Sequence, residues 1–135
     1  MTALFPELTA ALCAALPEQL APADSFEQLM AEDVRFDFPY APAGLVRRID
    51  GRAALTDYVR ALAPGLYIEQ IDMVHAHADK DGRHATVEMA LKGVLNDQPY
   101  VQDYVSVLSL KEGRISHYRD YWNPLALPAI TEASA

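Results

Sequence analysis

Residues 99–123 of the chain read PYVQDYVSVLSLKEGRISHYRDYWN, and they predict the architecture more strongly than any other segment. Two runs of strand-forming residues, 99–110 and 114–123, flank the dipeptide Glu112-Gly113. A two-residue turn of this kind joins antiparallel strands and pairs residues whose numbers have a constant sum. Lys111 is therefore expected to lie opposite Arg114.

This register also assigns the side chains of the hairpin to its two faces. Residues directly opposite each other in an antiparallel pair share a face. Counting back from the turn gives three further pairs that share one face: Val107 with Tyr118, Val105 with Asp120, and Asp103 with Trp122.

Two carboxylic acids on this predicted face are the first candidate for chemistry. Asp103 and Asp120 would occupy diagonal positions, about 7–8 Å apart at their Cα atoms. If the face is buried, desolvation and like-charge repulsion raise the pKa of at least one acid, which provides a proton donor beside a proton acceptor. A solvated face, or a structural ion pair with Arg119, is the alternative interpretation.

Earlier residues predict the rest of an α+β domain. Strands over 66–78 and 84–95, with turns at Asp81-Gly82 and Asn96-Asp97, extend the hairpin into an antiparallel meander. A strand is also expected from Val34 to Phe38. Three helices are predicted before the meander: residues 4–16, a short helix from Ser25 through Ala31, and a helix with the apolar stripe Leu55, Tyr58, Val59 and Leu62. A curved sheet around these helices would leave a cone-shaped hollow.

Length, charge and cysteine content limit the classes of function. A chain of 135 residues fits one domain, here residues 1–127, followed by a polar tail over 128–135. The formal charge of −8 argues against nucleic acid and anionic membranes as partners. The single cysteine, Cys13, excludes an internal disulfide. We expect a cytoplasmic protein that binds a small molecule.

Metal and cofactor sites find little support in the sequence. His75 and His77 would share one face of a strand, but the acidic residue that should follow at metal-ligand spacing is missing. The facing of these histidines and of Glu88 stays open, and we predict neither metal nor cofactor. Tyr58 is predicted to pack in the core with its hydroxyl against a polar group, and the alternative is a catalytic acid.

Several motifs resemble the SnoaL-like branch of the NTF2-like superfamily, over about residues 25–127. The matching segments are LMAEDVRFDFP at 29–39, RIDGRAAL at 48–55, GRI at 113–115 and YRDYWNP at 118–124. The resemblance implies an α+β cone, a pocket between sheet and helices, and a homodimer. The superfamily contains polyketide cyclases, ketosteroid isomerases, phenazine-biosynthesis proteins, epoxide hydrolases and non-catalytic members, so the fold alone does not assign a function.

The same resemblance implies roles for individual residues. Asp120 corresponds to the acid/base of phenazine-biosynthesis proteins and SnoaL-like cyclases, and Asp103 is similar to the protonated aspartate of ketosteroid isomerases. The catalytic base of the isomerases corresponds to Phe38, and no tyrosine precedes Tyr40 to serve as their oxyanion donor. Steroid isomerisation is therefore not expected. The His and Ser of the phenazine proteins' third helix fall at Leu55 and Val59, which argues against that substrate.

Together these patterns predict a cofactor-free acid/base enzyme of the isomerase or cyclase type. Its substrate would be hydrophobic, carbonyl-containing or aromatic, and would bind in the cone. Asp120 and Asp103 would be catalytic, and the predicted lining residues are Tyr118, Trp122, Val105, Val107, Phe38 and Tyr58. The alternative is a non-catalytic ligand-binding or dimerisation module.

Overall fold

The computed structural model describes residues 4–127 and shows two α-helices and six strands there. The helices are α1, Pro6–Ala15, and α2, Arg52–Leu62. The strands are β1, Met30–Asp37; β2, Arg48–Asp50; β3, Leu66–Ala78; β4, His84–Leu95; β5, Gln98–Lys111; and β6, Arg114–Trp122. Single 3-10 turns occupy Glu27–Leu29, Ala63–Gly65 and Pro124–Ala126. The predicted tail over 128–135 lies outside the described residues.

All six strands form one sheet in the order β2-β1-β6-β5-β4-β3. Strands β3 to β6 are antiparallel neighbours, which confirms the predicted meander, and β1 adds to β6 in parallel. Two of the predicted turn dipeptides, Asn96-Asp97 and Glu112-Gly113, have positive φ at both residues. This backbone matches the twist of the flanking strands and explains why the hairpins form there. The α+β class is confirmed.

The short helix predicted from Ser25 through Ala31 is wrong. Only one 3-10 turn forms, and Met30 already belongs to β1, where it pairs with Ile115 of β6. The Gln28 side chain accepts a hydrogen bond from the backbone N–H of Asp24, 2.8 Å away, instead of capping a helix. Sheet pairing therefore overrides the local helix signal.

A β-bulge at Ser116 changes the pairing of β5 with β6. Lys111 pairs with Arg114 and Leu110 with Ile115, as predicted, but Ser109 pairs with His117. Ser116 is thus an extra residue on β6, and its hydroxyl donates a hydrogen bond to the Ser109 carbonyl oxygen at 3.2 Å. An unpaired residue shifts every later pair by one position. Beyond the bulge, Asp120 lies opposite Ser106.

Further bulges bend the long strand β3. The pairing with β4 skips one residue between Ile68 and Gln70 and another between Met73 and His75. Such bulges bend a strand and increase its twist. The curved sheet covers the helices with one face, where Leu12 of α1 and Leu16, the residue directly after α1, meet the core residues of the strands. We call this the inner face.

A charged network on the opposite, outer face joins β1 to β6. The Asp37 carboxylate accepts hydrogen bonds from His117, at 2.6 Å, and from Arg35, at 3.0 Å. Partial burial acts to raise the pKa of Asp37, but the His117 hydrogen bond and the positive charge of Arg35 outweigh it, so the pKa is below its ordinary value. The ionised carboxylate thus stabilises the folded state.

Asp37→Asn is expected to lower the free energy of unfolding by about 1–2 kcal/mol at pH 6, because hydrogen bonds to a charged group are lost. Since the folded-state pKa is depressed, this stabilisation is present above the ordinary aspartate pKa, about 4, and is lost as the pH falls further. Urea denaturation at pH 6 and pH 3 measures it. Asp50→Asn is the control, since it removes an ion pair with Arg48 in which the Asp50 side chain is 65% exposed. It should lower the free energy of unfolding by less than about 0.5 kcal/mol. Equal losses in both variants would contradict the assignment.

Candidate functional site

A cavity of about 280 Å³ lies between the inner face of the sheet and the two helices. Its wall is mainly apolar. Helix α2 contributes Leu55, Val59 and Leu62, and β4 contributes Met89 and Leu91. Leu55 and Val59 belong to the stripe predicted from the helical spacing, and both are buried. A pocket of this size and polarity suits a small hydrophobic molecule of one or two rings.

Asp120 is the one carboxyl side chain among the described residues that line this cavity, and no Lys, Arg or His accompanies it there. It lies on the inner face of β6, between Tyr118 and Trp122, which also line the wall. Burial raises the pKa of Asp120 to about 8, and a hydrogen bond with Ser106 lowers it only in part. Desolvation disfavours the charged carboxylate, and no lining cation offsets it among residues 4–127. At neutral pH Asp120 is mostly protonated, yet it loses its proton readily.

Four tyrosines surround this acid. For Tyr58, Tyr100, Tyr104 and Tyr118, burial raises the pKa, and the negative charge of ionised Asp120 raises it further. All four phenols therefore stay protonated and act as hydrogen-bond donors near the acid. A single exchangeable proton on a carboxyl group, surrounded by neutral donors, is an arrangement suited to acid/base chemistry.

Tyr118, one of the predicted lining residues, is held in place by contacts at its ring and at its hydroxyl. Its ring stacks on Phe36 with centroids 4.3 Å apart, and its hydroxyl lies 2.9 Å from the Ser106 hydroxyl. Ser106 is fully buried and links Tyr118 to Asp120. The Tyr118–Ser106 pair therefore forms a rigid support beneath the acid.

The predicted site residues divide into two groups. Those that line the cavity are Asp120, Tyr118, Trp122, Phe38 and Tyr58. The prediction that three further residues share this face is wrong: Asp103, Val105 and Val107 lie on the outer face, and Asp103 is exposed. The physical reason is the bulge at Ser116, which moves the odd-numbered residues of β5 outward.

The same shift brings in residues that sequence reasoning missed. Tyr100, Tyr104 and Ser106, the even-numbered residues of β5, face inward. The alternation along β5 shows that Tyr100, Tyr104 and Leu108 share one face, because all three have even numbers. Whether the even-numbered residues face inward depends on how β5 pairs with β6. The pairing deduced from the turn alone differs by one residue from the observed pairing beyond Ser116.

Three residues that the sequence assigns to neither face of the sheet lie on its outer face. His75, His77 and Glu88 are exposed on the outer face, and His75 pairs with Glu88 across β3 and β4. Among residues 4–127 there is no group of three or more His, Cys, Asp or Glu side chains placed to hold a metal ion. Neither helix in that range has the length and apolar character required to cross a bilayer.

A curved sheet closed by helices over an apolar cavity defines a class of small α+β proteins with an internal ligand-sized pocket. The family model for the SnoaL-like domain matches residues 13–118. The chain belongs to the SnoaL-like family, and its fold is that of NTF2-like proteins.

Two relatives share more than a third of their aligned residues with this chain. The uncharacterized protein YesE of Bacillus subtilis is 35% identical over 105 residues, which are 76% of this chain and 71% of YesE. The uncharacterized PhzA/B-like protein PA3332 of Pseudomonas aeruginosa is 36% identical over 91 residues, which are 66% of this chain and 64% of that protein.

Solved structures show the same fold. A candidate isomerase from Bacillus subtilis superposes with a TM-score of 0.75 at 28% identity, over 96% of this chain and 94% of that one. An LEH-like epoxide hydrolase from M. tuberculosis gives 0.61 at 19% identity, over 88% and 81%. A phenazine biosynthesis-related protein from Pseudomonas aeruginosa gives 0.64 at 16% identity, over 89% and 86%. These last two similarities concern the fold alone.

Proposed function

We propose that this protein is a cofactor-free acid/base catalyst of the isomerase or cyclase type, with Asp120 as the group that transfers the proton. Its substrate is a neutral, hydrophobic carbonyl-containing or aromatic molecule that fits the cavity. The observation that carries the proposal is the single carboxylic acid in an apolar cavity, whose pKa of about 8 lies close to physiological pH. A pKa near the working pH is what efficient proton transfer requires.

The proposed chemistry has a simple balance of protons and electrons. The Asp120 carboxylate takes a proton from the carbon next to a carbonyl group, and the electron pair of that C–H bond moves to form an enolate. The protonated Asp120 then returns a proton to the same or another carbon, so the carboxylate is regenerated. The description of one similar solved structure as an isomerase agrees with this reaction class. The reaction needs only one carboxyl group, and the described lining contains one, Asp120.

The choice of substrate follows from the charges of the cavity. Asp120 is the single carboxylic acid in the described lining, and no Lys, Arg or His is found there. An anionic ligand would be desolvated without a partner, which is costly. A neutral molecule avoids this cost, and its apolar body gains from contact with the aliphatic and aromatic wall.

Asp120→Asn is expected to reduce proton transfer by about 10²–10⁴-fold, because a positioned acid/base contributes about that much to the rate. The assay follows exchange of the α-protons of 1-indanone in D₂O by NMR, which does not require the natural substrate. Since the carboxylate is the active form, the wild-type rate should rise with pH and level off above about 8.

Asp103→Asn is the matched control, since Asp103 is an exposed acid on the outer face of the neighbouring strand. It should exchange at the wild-type rate. Wild-type exchange by Asp120→Asn would refute the acid/base role. Binding of the ketone without exchange in the wild-type protein would instead favour the non-catalytic binding module.

A further inference from the structure

A second polar feature of the cavity is a hydrogen-bonded pair of tyrosines on β5. The phenolic oxygens of Tyr100 and Tyr104 lie 3.0 Å apart, and both residues line the cavity. Tyr100 is only 4% exposed.

Gln102, between the two tyrosines on the same face, holds this pair in place. Its side-chain oxygen accepts hydrogen bonds from the backbone N–H groups of Asn123, at 2.9 Å, and Asp103, at 3.1 Å. Its amide nitrogen donates to the Asn123 carbonyl oxygen at 2.9 Å. A hydrogen bond with Gln102 lowers the pKa of Tyr100 in part, although burial keeps it raised. Gln102 is 1% exposed, so its orientation is set by these partners.

The Tyr100–Tyr104 pair has one hydroxyl hydrogen that its mutual hydrogen bond does not use. Two phenols carry two hydroxyl hydrogens, and their mutual bond uses one of them. The oxygen of Gln102 already accepts two backbone hydrogens and has no capacity for a third. In the part of the chain that the structure describes, no other acceptor contacts either phenol. The second hydroxyl hydrogen is therefore available to a ligand in the cavity.

The pair also lies at a suitable distance from Asp120. Tyr104 precedes Ser106 by two residues on the same face, and Ser106 is the direct partner of Asp120. Tyr104 is thus the diagonal neighbour of the acid, about 7–8 Å away between Cα atoms. Tyr100, Tyr104 and Asp120 all line the same cavity, so a ligand there can contact both the pair and the acid.

We infer that the Tyr100–Tyr104 pair is the hydrogen-bond donor that holds the carbonyl oxygen of the substrate while Asp120 transfers a proton at the adjacent carbon. The inference rests on the proposed function and specifies its substrate as a neutral carbonyl compound. Because the described lining has no cation, the hydrogen bond that stabilises the developing enolate oxygen comes from a neutral donor, and the free hydroxyl hydrogen of the tyrosine pair provides one. Gln102 is a positioning residue for the pair.

The test uses [1-¹³C]indanone as probe and reads the carbonyl stretch of the bound ketone by infrared difference spectroscopy. In the wild-type protein the stretch should move to lower wavenumber than in an apolar solvent. Tyr104→Phe and Tyr100→Phe, which keep the shape of the wall, should each lose most of this displacement. Both should also slow α-proton exchange, by about 10²-fold for loss of a donor to a developing oxyanion. Tyr67→Phe, an exposed tyrosine on the outer face, should change neither value.

Two comparisons separate this inference from the proposed function. Asp120→Asn should lose α-proton exchange and keep the displaced carbonyl stretch. If Tyr104→Phe and Tyr100→Phe also lose exchange but keep the displaced stretch, the role of the tyrosine pair is overturned and the role of Asp120 is not. Exchange that survives in Asp120→Asn would overturn the acid/base role alone. A wild-type protein that binds indanone without displacing the stretch would overturn the inference. So would failure of both acetophenone and 1-indanone to raise the melting temperature.

Discussion

Asp120→Asn is expected to make the protein more stable at pH 8, by on the order of 5 kcal/mol, although it removes the proposed catalytic group. Burial raises the pKa of Asp120 from 3.8 to about 8. Between these values the folded chain holds a proton that the unfolded chain has released. Unfolding is therefore favoured by about 1.4 kcal/mol for each unit of pH above 4. Asparagine resembles the protonated acid in shape and does not titrate.

The sign of this effect distinguishes it from ordinary loss of a contact. The stability contributed by protonated Asp120 is fully present below about pH 4 and is lost as the pH rises toward 8. Urea denaturation of wild type and Asp120→Asn should give similar free energies of unfolding near pH 4 and a gap that widens up to pH 8. Asp103→Asn, an exposed acid, should follow the wild-type curve. A constant gap between Asp120→Asn and wild type would show that the carboxyl group is not desolvated.

Gly93→Ala is expected to destabilise the fold by about 3 kcal/mol or more, at the upper end of the range for overpacked positions. A Cβ atom at residue 93 would lie 2.0 Å from the Tyr67 carbonyl oxygen and 3.2 Å from the Ile68 Cα atom. These are backbone atoms of the paired strand, so no side chain can move aside. Glycine in a strand interior often marks such an approach, here beside the bulge that bends β3.

Lys92→Ala is the control for this position, because Lys92 is exposed on the same strand. It should change the free energy of unfolding by less than about 0.5 kcal/mol. Urea midpoints and slopes for both variants at pH 7 measure the difference. A loss below 1 kcal/mol in Gly93→Ala would mean that β3 and β4 can separate at little cost and that the close approach does not shape the sheet.

Strand boundaries were predictable because they depend on local chemistry. The expected spans 66–78 and 84–95 coincide with β3 and β4. Turn dipeptides such as Asn96-Asp97 adopt positive φ at low cost, and alternating apolar residues suit a sheet with one buried face. The helix stripe at Leu55 and Val59 was predictable for a similar reason, since it needs only the period of an α-helix.

The candidate site was predictable in part. Tyr118, Asp120 and Trp122 were placed on one face, and they do share the cavity, because the bulge at Ser116 precedes all three and leaves their alternation intact. Asp103 was placed beside them through pairing, and pairing is what the bulge changes. Residues 114–118 contain no glycine or other residue type that predicts a β-bulge at Ser116.

The sequence by itself determined the order of the elements, the SnoaL-like family and the inward position of Asp120 relative to its own strand. Those properties depend on neighbours a few residues away. Only the tertiary structure decided which residues of β5 face Asp120, that it is the one carboxyl group in the cavity wall formed by residues 4–127, and that Tyr100 and Tyr104 line the same cavity. One unpaired residue reverses the face of every partner that follows, and burial sets the pKa of the acid only after strands and helices distant in sequence have excluded water from it.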